Sequence, residues 1–247
     1  MEVVDYLLGK NSSGGGEEYK PKAISFYKNQ TTLSDCQNIA EDIKNIDFSD
    51  IESFQYFISV SNRQNTRDVT LDLRGCDLRG SNVAFSNKYK NFLRQCEFKK
   101  IIIDDTTLFD VNTLNNTVMM FNEIGCEEFI MSGQNFHASS YFLNGSYLKH
   151  VDLSQSNIIA DYLDSWFSYM KYCEIVEIDN LELSKASGPT SQLFKNCGVN
   201  LPSGTYTKVY VKNATEQSFI LGLSSIPSGW STSNVIIAGS SDDHRND

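Results

Sequence analysis

The stretch Leu148-Lys-His-Val-Asp-Leu-Ser-Gln-Ser-Asn-Ile158 contains the pattern that decides the fold of this 247-residue chain. Apolar residues occupy its first, fourth, sixth and eleventh positions, as in the frame L-x-x-L-x-L-x-x-N-x-L. Six further frames, some of them incomplete, begin at Asp68, Phe98, Cys126, Cys173, Tyr206 and Thr232. The apolar pair at the fourth and sixth positions is present in all seven frames: Leu71/Leu73, Ile101/Ile103, Phe129/Met131, Val151/Leu153, Val176/Ile178, Val209/Val211 and Val235/Ile237.

The frames recur at the intervals of a structural repeat. The first residues of consecutive pairs lie 22 to 33 residues apart, against roughly 20–29 in leucine-rich repeats. Alternate side chains of a strand point to one side, so both residues of a pair face one interior, which stacked units bury together. The spacing predicts a mostly β, leucine-rich-repeat solenoid with short helices on the return limbs; the alternative is a β-sandwich. We expect one buried column of Leu71, Ile103, Met131, Leu153, Ile178 and Val211.

Two features flank the frames. An apolar pair containing an aromatic residue precedes most of them: Phe92-Leu93, Met120-Phe121, Phe142-Leu143, Trp166-Phe167 and Leu193-Phe194. Independent strands have no reason to repeat such a pair, so it favours the solenoid, with the aromatic rings closing the interior from the return limb. A cysteine follows four of the pairs, at Cys96, Cys126, Cys173 and Cys197. We expect these cysteines to be buried structural thiols, close enough in neighbouring units to bridge on oxidation.

The ninth position of the frame departs from the common pattern, in which an Asn ladder satisfies backbone groups. The residues at this position are Cys76, Thr106, Gln134, Ser156, Leu181, Ala214 and Ser240. Without the ladder we expect each turn to satisfy its backbone groups locally, which would also allow the intervals to vary.

The chain resembles the BspA-like leucine-rich repeats of bacterial surface proteins and of phages that infect such bacteria. The residues that carry the resemblance are Met120-Phe121 with Cys126, Leu193-Phe194 with Cys197, and the segments 1–16 and 208–239. The N-V-T-N-M-type segment of that family is missing, which marks a divergent member. The resemblance implies a non-enzymatic phage virion (tail-associated) structural or receptor-binding protein. The alternative is a bacterial surface or secreted adhesion module.

The sequence divides into four parts: an N-terminal anchor and Gly/Ser linker at 1–16, a capping region at 17–55, the repeat solenoid at 56–239 and a loose polar tail at 240–247. The anchor has apolar residues at helical spacing, namely Val3, Val4, Leu7 and Leu8. A helix this short is marginal in water, so it needs a partner surface. We expect that surface to belong to another virion protein, and homo-oligomerisation is left open.

Composition excludes several classes of function. A net charge of −10 and a pI near 4.8 argue against nucleic-acid binding through a basic face. No apolar run approaches the roughly 18 residues of a membrane span. The first eight residues lack the basic start and the cleavage site of a secretory signal. This favours a virion protein assembled in the host cytoplasm over an extracellular or cell-surface protein, although a removed export signal would leave the same sequence.

The search for catalytic chemistry yields almost nothing. The chain has only three histidines, and one of them, His150, falls beside Asp152 on an outward strand position. No phosphate-binding loop, zinc-protease motif or nucleophile elbow is present. The cysteines and histidines lack the spacing of a zinc site. We therefore predict no enzyme activity, no cofactor and no metal.

The third, fifth and seventh positions of each frame point away from the interior and form an outward strand face. The residues that we predict to bind there are Asp72, Arg74, Ile102, Ile130, His150, Asp152, Glu177, Tyr210 and Ile236. Ile102 and Ile130 come from consecutive frames, and neighbouring exposed apolar residues mark contact surfaces. Asp152 and Glu177 can accept hydrogen bonds from glycan hydroxyls. The predicted partner is a host cell-surface glycan or protein; the alternative is that a second subunit or the cap covers the face.

Overall fold

The computed structural model describes residues 70–75, 98–107, 121, 124–138, 142–160, 165–185 and 192–245. The predicted anchor with Val3, Val4, Leu7 and Leu8 lies outside the described residues, as does the predicted capping region at 17–55. All statements of structure that follow concern the described residues.

A seven-stranded, fully parallel sheet dominates the structure. Its strands, in spatial order, are β1 (Thr70–Asp72), β2 (Lys100–Ile103), β3 (Gly125–Met131), β5 (Tyr147–Asp152), β7 (Ile175–Ile178), β8 (Lys208–Val211) and β9 (Val235–Ile237). Strands β4 (Asn135–Ala138) and β6 (Asn157–Ala160) form a separate parallel pair. In the described ranges, helical structure is limited to a 3₁₀ turn at Leu183–Lys185 and to α1 (Ala214–Leu221). The prediction of a mostly β chain with short helices is confirmed.

The strands align at the apolar pairs that the sequence singles out. Leu71, Ile101, Phe129, Val151, Val176, Val209 and Val235 form one row of paired residues across all seven strands, and each is fully buried. The column predicted from Leu71 to Val211 is wrong at its first member. Leu71 pairs with Ile101, so it belongs to this first row. The second buried row, which contains Ile103, begins at Leu73. Alternation along the strand therefore places two rows in the core.

The aromatic pairs close the core from the opposite side. Backbone N–H groups of Leu143 and Phe167 donate to the carbonyls of Trp166 and Leu193, so consecutive return limbs stack on each other. Ring contacts then run through the interior without a break: Phe129–Phe121, Phe121–Phe142, Phe142–Trp166, Trp166–Phe167, Phe167–Phe194 and Phe194–Trp230, at centroid distances of 5.1 to 6.1 Å. The predicted role of these rings is confirmed for residues 121, 142, 166, 167 and 194.

The turns after the strands are joined to one another, which corrects the expectation of purely local satisfaction. The amide of Gln134 donates to the carbonyls of Asp104 and Thr107 in the preceding turn. The hydroxyl of Ser156 donates a hydrogen bond to the carbonyl of Met131, with an oxygen–oxygen distance of 2.7 Å. Thr106 accepts from the N–H of Gly75 in the turn before it. Hydroxyl and amide side chains at the ninth position therefore do between turns what the Asn ladder does in the common pattern.

Cys126, Cys173 and Cys197 are buried free thiols, as predicted. Burial raises the pKa of the Cys126 and Cys173 thiols, because an apolar interior disfavours the thiolate. A thiol that stays protonated is a poor nucleophile, so these side chains act as small core residues.

Helix α1 connects β8 to β9 and shows why the chain turns there. The side chain of Asn213 caps the helix by accepting from the N–H groups of Thr215 and Glu216. Glu216 is buried, and its carboxylate accepts from the N–H and the hydroxyl of Ser184, at 3.0 and 2.6 Å. The helix is thereby tied to the turn that follows β7, so the last two strands continue the register of the others.

Residues 240–245 of the predicted tail make hydrogen bonds with one another and with the rest of the chain. Asp243 accepts from the N–H of Gly239 at 2.8 Å, and its own N–H donates to the carbonyl of Ser240. Arg245 makes hydrogen bonds with Glu177 in β7 and with Asp179 directly after that strand. We call residues 238–245 the closing segment, because they fold back onto the sheet.

Candidate binding face

The strand face is the outward surface of the seven-stranded sheet. Its central row consists of directly paired residues, one from each strand: Asp72, Ile102, Ile130, Asp152, Glu177, Tyr210 and Ile236. Neighbouring strands lie roughly 4.8 Å apart, so the seven side chains form a continuous strip. The structure brings together the predicted residues of this row in the predicted order, whereas their role in binding stays a prediction.

The apolar centre of the strip is the pair Ile102 and Ile130. The two residues are register partners on β2 and β3, and both are partly exposed. Beside them lies a cross-strand ion pair, Lys100 Nζ to Glu128 Oε2 at 2.5 Å. The pairing with Lys100 lowers the pKa of Glu128. A small apolar contact area bordered by fixed charges is the pattern of an interface, where apolar residues lie inside a polar rim.

The edge of the strip at β1 carries a two-bond ion pair between Asp72 and Arg74, which we call the Asp72–Arg74 fork. The Arg74 guanidinium donates to both carboxylate oxygens of Asp72, from Nε at 2.8 Å and from Nη2 at 2.6 Å. Both side chains are exposed. An exposed pair of this kind contributes little to stability, but it fixes the direction in which the two polar groups are presented.

The middle of the strip is acidic and contains the only histidine on the described part of this face. The Nε2 atom of His150 lies 2.7 Å from Glu177 Oε1. This hydrogen bond raises the pKa of His150 and lowers the pKa of Glu177, because each group stabilises the charged form of the other. Asp152 is on the same strand as His150 and is the register partner of Glu177, and it accepts from the N–H and the hydroxyl of Ser154. The three side chains are therefore held in fixed orientations.

The end of the strip at β8 and β9 differs from the expectation of an exposed face. Tyr210 and Ile236 are each only 3% exposed. The closing segment covers Tyr210, since the Arg245 guanidinium carbon lies 4.2 Å from the centre of the Tyr210 ring. Burial raises the pKa of Tyr210. The predicted alternative is that another subunit or the cap covers this face. At Tyr210 the cover is instead a segment of the same chain.

Sequence reasoning missed Arg245 and Asp179, the two residues that complete this end. Asp179 stands next after the last residue of β7, and Arg245 lies in a polar segment without any periodic pattern. A contact between residues 66 positions apart leaves no local signal in a single sequence.

A second exposed feature also escaped the sequence analysis. The rings of Tyr147 and Tyr172 stack with centroids 6.2 Å apart, although both side chains are largely exposed. The β5–β7 register explains the contact, because both residues lie three positions before the paired residues His150 and Ile175. Lys195 lies 5.8 Å over the ring of Tyr169, also on the surface.

The described residues contain no group of three or more His, Cys, Asp and Glu side chains that could hold a metal ion. In the same part of the chain, no helix has the length and apolar character needed to cross a membrane. Comparisons with protein-family models, with curated proteins and with solved structures produce no match for this chain.

Proposed function

We propose that this chain is a non-enzymatic, BspA-like leucine-rich-repeat solenoid that binds a partner along its strand face. Four features support the solenoid: the parallel sheet in strict chain order, the common register, the stacked return limbs and the side-chain hydrogen bonds between turns. Each unit buries its apolar pair against the units on either side of it. The stability of repeat proteins comes from such nearest-neighbour contacts. The outward row is then a long, stiff surface.

The observation that carries the binding proposal is the adjacency of Ile102 and Ile130 on the outward surface. Partly exposed β-branched residues that pair directly on an otherwise polar strip would be better replaced by polar residues if water were their only neighbour. To one side of them lies the Asp72–Arg74 fork, and to the other lies the acidic centre at Asp152. A flat apolar patch between carboxylates suits the apolar face and the hydroxyls of a sugar ring, or a protein surface.

The biological setting that we propose is a phage virion, with the chain as a tail-associated structural or receptor-binding protein. Support comes from the resemblance of residues 1–16 to the start of phage tail-associated proteins of this type. Mass spectrometry of purified virions tests the setting directly. Detection in virions supports it, whereas detection only on the bacterial cell surface or in culture medium replaces it with the adhesion module.

The binding proposal is tested with the double variant Ile102→Asp/Ile130→Asp. Both side chains point outward, so we expect the circular dichroism spectrum of the folded protein to persist while adsorption to host cells falls. The loss should exceed about tenfold, the usual result of removing a central apolar anchor from an interface.

The matched control is Tyr172→Asp/Val199→Asp, which places the same charges at exposed residues outside the seven-stranded sheet. We expect this control to adsorb as the unmodified protein does. A folded Ile102→Asp/Ile130→Asp protein with undiminished adsorption excludes the strand face as the receptor site.

A further inference from the structure

The closing segment places one arginine in a site formed by the end of the strand face. The Arg245 guanidinium lies over the ring of Tyr210, with its central carbon 4.2 Å from the ring centre. Its Nη1 donates to Glu177 Oε2 at 2.5 Å, and both terminal nitrogens donate to Asp179 Oδ2 at 3.3 Å. We call Tyr210, Glu177 and Asp179 together the guanidinium site.

The geometry of the site selects arginine rather than any cation. A planar guanidinium can stack on an aromatic ring and donate in its own plane to two carboxylates, whereas a lysine ammonium is a point charge without a face. The side chain of Arg245 is 19% exposed and that of Glu177 is 14% exposed, so water screens these contacts much less than it screens a surface pair. The site therefore has both the shape and the low solvent access of a recognition site.

The arginine and its site belong to separate parts of the chain. Arg245 is oriented from within the closing segment by Asp243, which accepts from Nε at 2.9 Å and from Nη2 at 2.7 Å. Asp243 in turn accepts from the N–H of Gly239. The closing segment is thus a small unit that carries an oriented guanidinium, and the sheet supplies the ring and the two carboxylates that receive it.

The fit of Arg245 in the site is incomplete. Both of its terminal nitrogens reach the same oxygen of Asp179, at the long distance of 3.3 Å. The other oxygen, Asp179 Oδ1, is buried and has no hydrogen-bond partner among the described residues. A buried acceptor without a donor is costly. A guanidinium that is not held by Asp243 could shift to engage both oxygens of Asp179, as paired Arg–carboxylate contacts usually do.

We infer that the end of the strand face is an arginine-binding site, which Arg245 fills from within the chain and which an arginine side chain of a partner polypeptide fills in its place. The inference rests on the proposed function in that it takes the strand face as the contact surface. Displacement of the closing segment would uncover Tyr210 and extend the open face from the first five strands of the sheet to β8.

The test uses the full chain with Arg245→Ala and two small probes, N-acetyl-arginine amide and N-acetyl-lysine amide, titrated by NMR. We expect saturable shifts of Tyr210 and its neighbours with the arginine probe and none with the lysine probe. The unmodified chain should bind the arginine probe about tenfold more weakly, if its site is open roughly one-tenth of the time. Arg245→Ala/Tyr210→Leu is the matched control and should lose the binding.

Two results would overturn the inference: no saturable binding to a folded Arg245→Ala chain, or equal binding of the two probes. If Arg245→Ala does not fold, the unmodified chain serves instead. There, saturating arginine probe should speed hydrogen exchange at the N–H of Ala238, which donates to the carbonyl of Val211 in β8 and so ties the closing segment to the sheet. Unchanged exchange contradicts the inference. Neither measurement involves host cells. A failure of the guanidinium site can therefore be distinguished from a failure of the adsorption experiment on Ile102 and Ile130.

Discussion

Replacing Phe194 by alanine tests how much the continuous aromatic core contributes to stability. Phe194 is fully buried on its return limb. Its ring stacks on Phe167 with centroids 5.1 Å apart and planes 17° from parallel, and it contacts Trp230 at 5.4 Å. The residue thus connects the core of the preceding unit to the loop that packs against the last strands, and truncation removes both contacts at once.

The expected loss follows from area and ring contacts. The part of a buried Phe side chain beyond the alanine methyl amounts to about 100 Å² and contributes about 2.5 kcal/mol at ~25 cal/mol per Å². The two ring contacts add roughly 0.5–1.5 kcal/mol each. The total agrees with the range of about 3–5 kcal/mol found for Phe→Ala in protein cores. We therefore expect Phe194→Ala to lower the free energy of unfolding by about 4 kcal/mol, a large part of the stability of an ordinary domain.

Urea unfolding followed by circular dichroism measures the loss, with the denaturant slope compared between variants. The matched control is Tyr172→Ala, which also removes one ring of a stacked pair, but from a side chain that is 45% exposed. We expect the control to lose under about 1 kcal/mol, as surface substitutions do. If Phe194→Ala is too unstable to study, Phe194→Leu should give an intermediate loss. A loss for Phe194→Ala no greater than that of the control would refute the packing argument.

Two further predictions concern a turn and a titratable pair. Gly198 and Gly204 both have positive φ, but a Cβ on Gly198 would come 2.2 Å from the buried Thr207 hydroxyl, whereas a Cβ on Gly204 would meet nothing within 4 Å. Gly198→Ala should therefore destabilise the fold by at least about 2 kcal/mol more than Gly204→Ala in urea unfolding, and equal losses would contradict the clash. The hydrogen bond with Glu177 raises the folded-state pKa of His150, so its stabilisation is complete below the unfolded pKa of about 6.5 and is lost as pH rises through the folded value. The free energy of unfolding should fall over that window, and His150→Gln should flatten the fall; unchanged pH dependence would show that the pair is not coupled to folding.

The register of the sheet could be predicted from the sequence because each strand carries its own apolar pair. The alternation of Val209 and Val211 around an outward residue permits one alignment with Val176 and Ile178, since a shift by one residue would expose both. The same local logic located the buried rings of Phe121 and Phe194. A feature that depends only on residues near one strand can be predicted from a single sequence.

The contacts between turns were mispredicted because residue type alone does not fix a partner. Gln134 and Ser156 depart from the Asn pattern, yet the Gln134 amide donates to a carbonyl of the preceding turn and the Ser156 hydroxyl donates to the last carbonyl of β3. The side-chain donors of Gln134 and Ser156 reach these carbonyls only when the strands pair in the observed register. The sequence alone does not show which carbonyl will then lie nearest. Polar side chains can satisfy either local or neighbouring backbone groups, so only the assembled structure decides between them.

The charge distribution on the strand face shows why its two halves should respond differently to their surroundings. Glu177 divides its carboxylate between the halves, with Oε1 bonded to His150 on the open side and Oε2 bonded to Arg245 on the covered side. The histidine loses its proton as pH rises, whereas a guanidinium keeps its charge throughout the working range of proteins. Deprotonation of His150 therefore weakens the open side alone and leaves Glu177 fully available to Arg245. Near neutral pH, a change in pH therefore acts on the histidine side of Glu177, whereas a competing guanidinium or salt acts on the ion pairs that hold Arg245 over Tyr210.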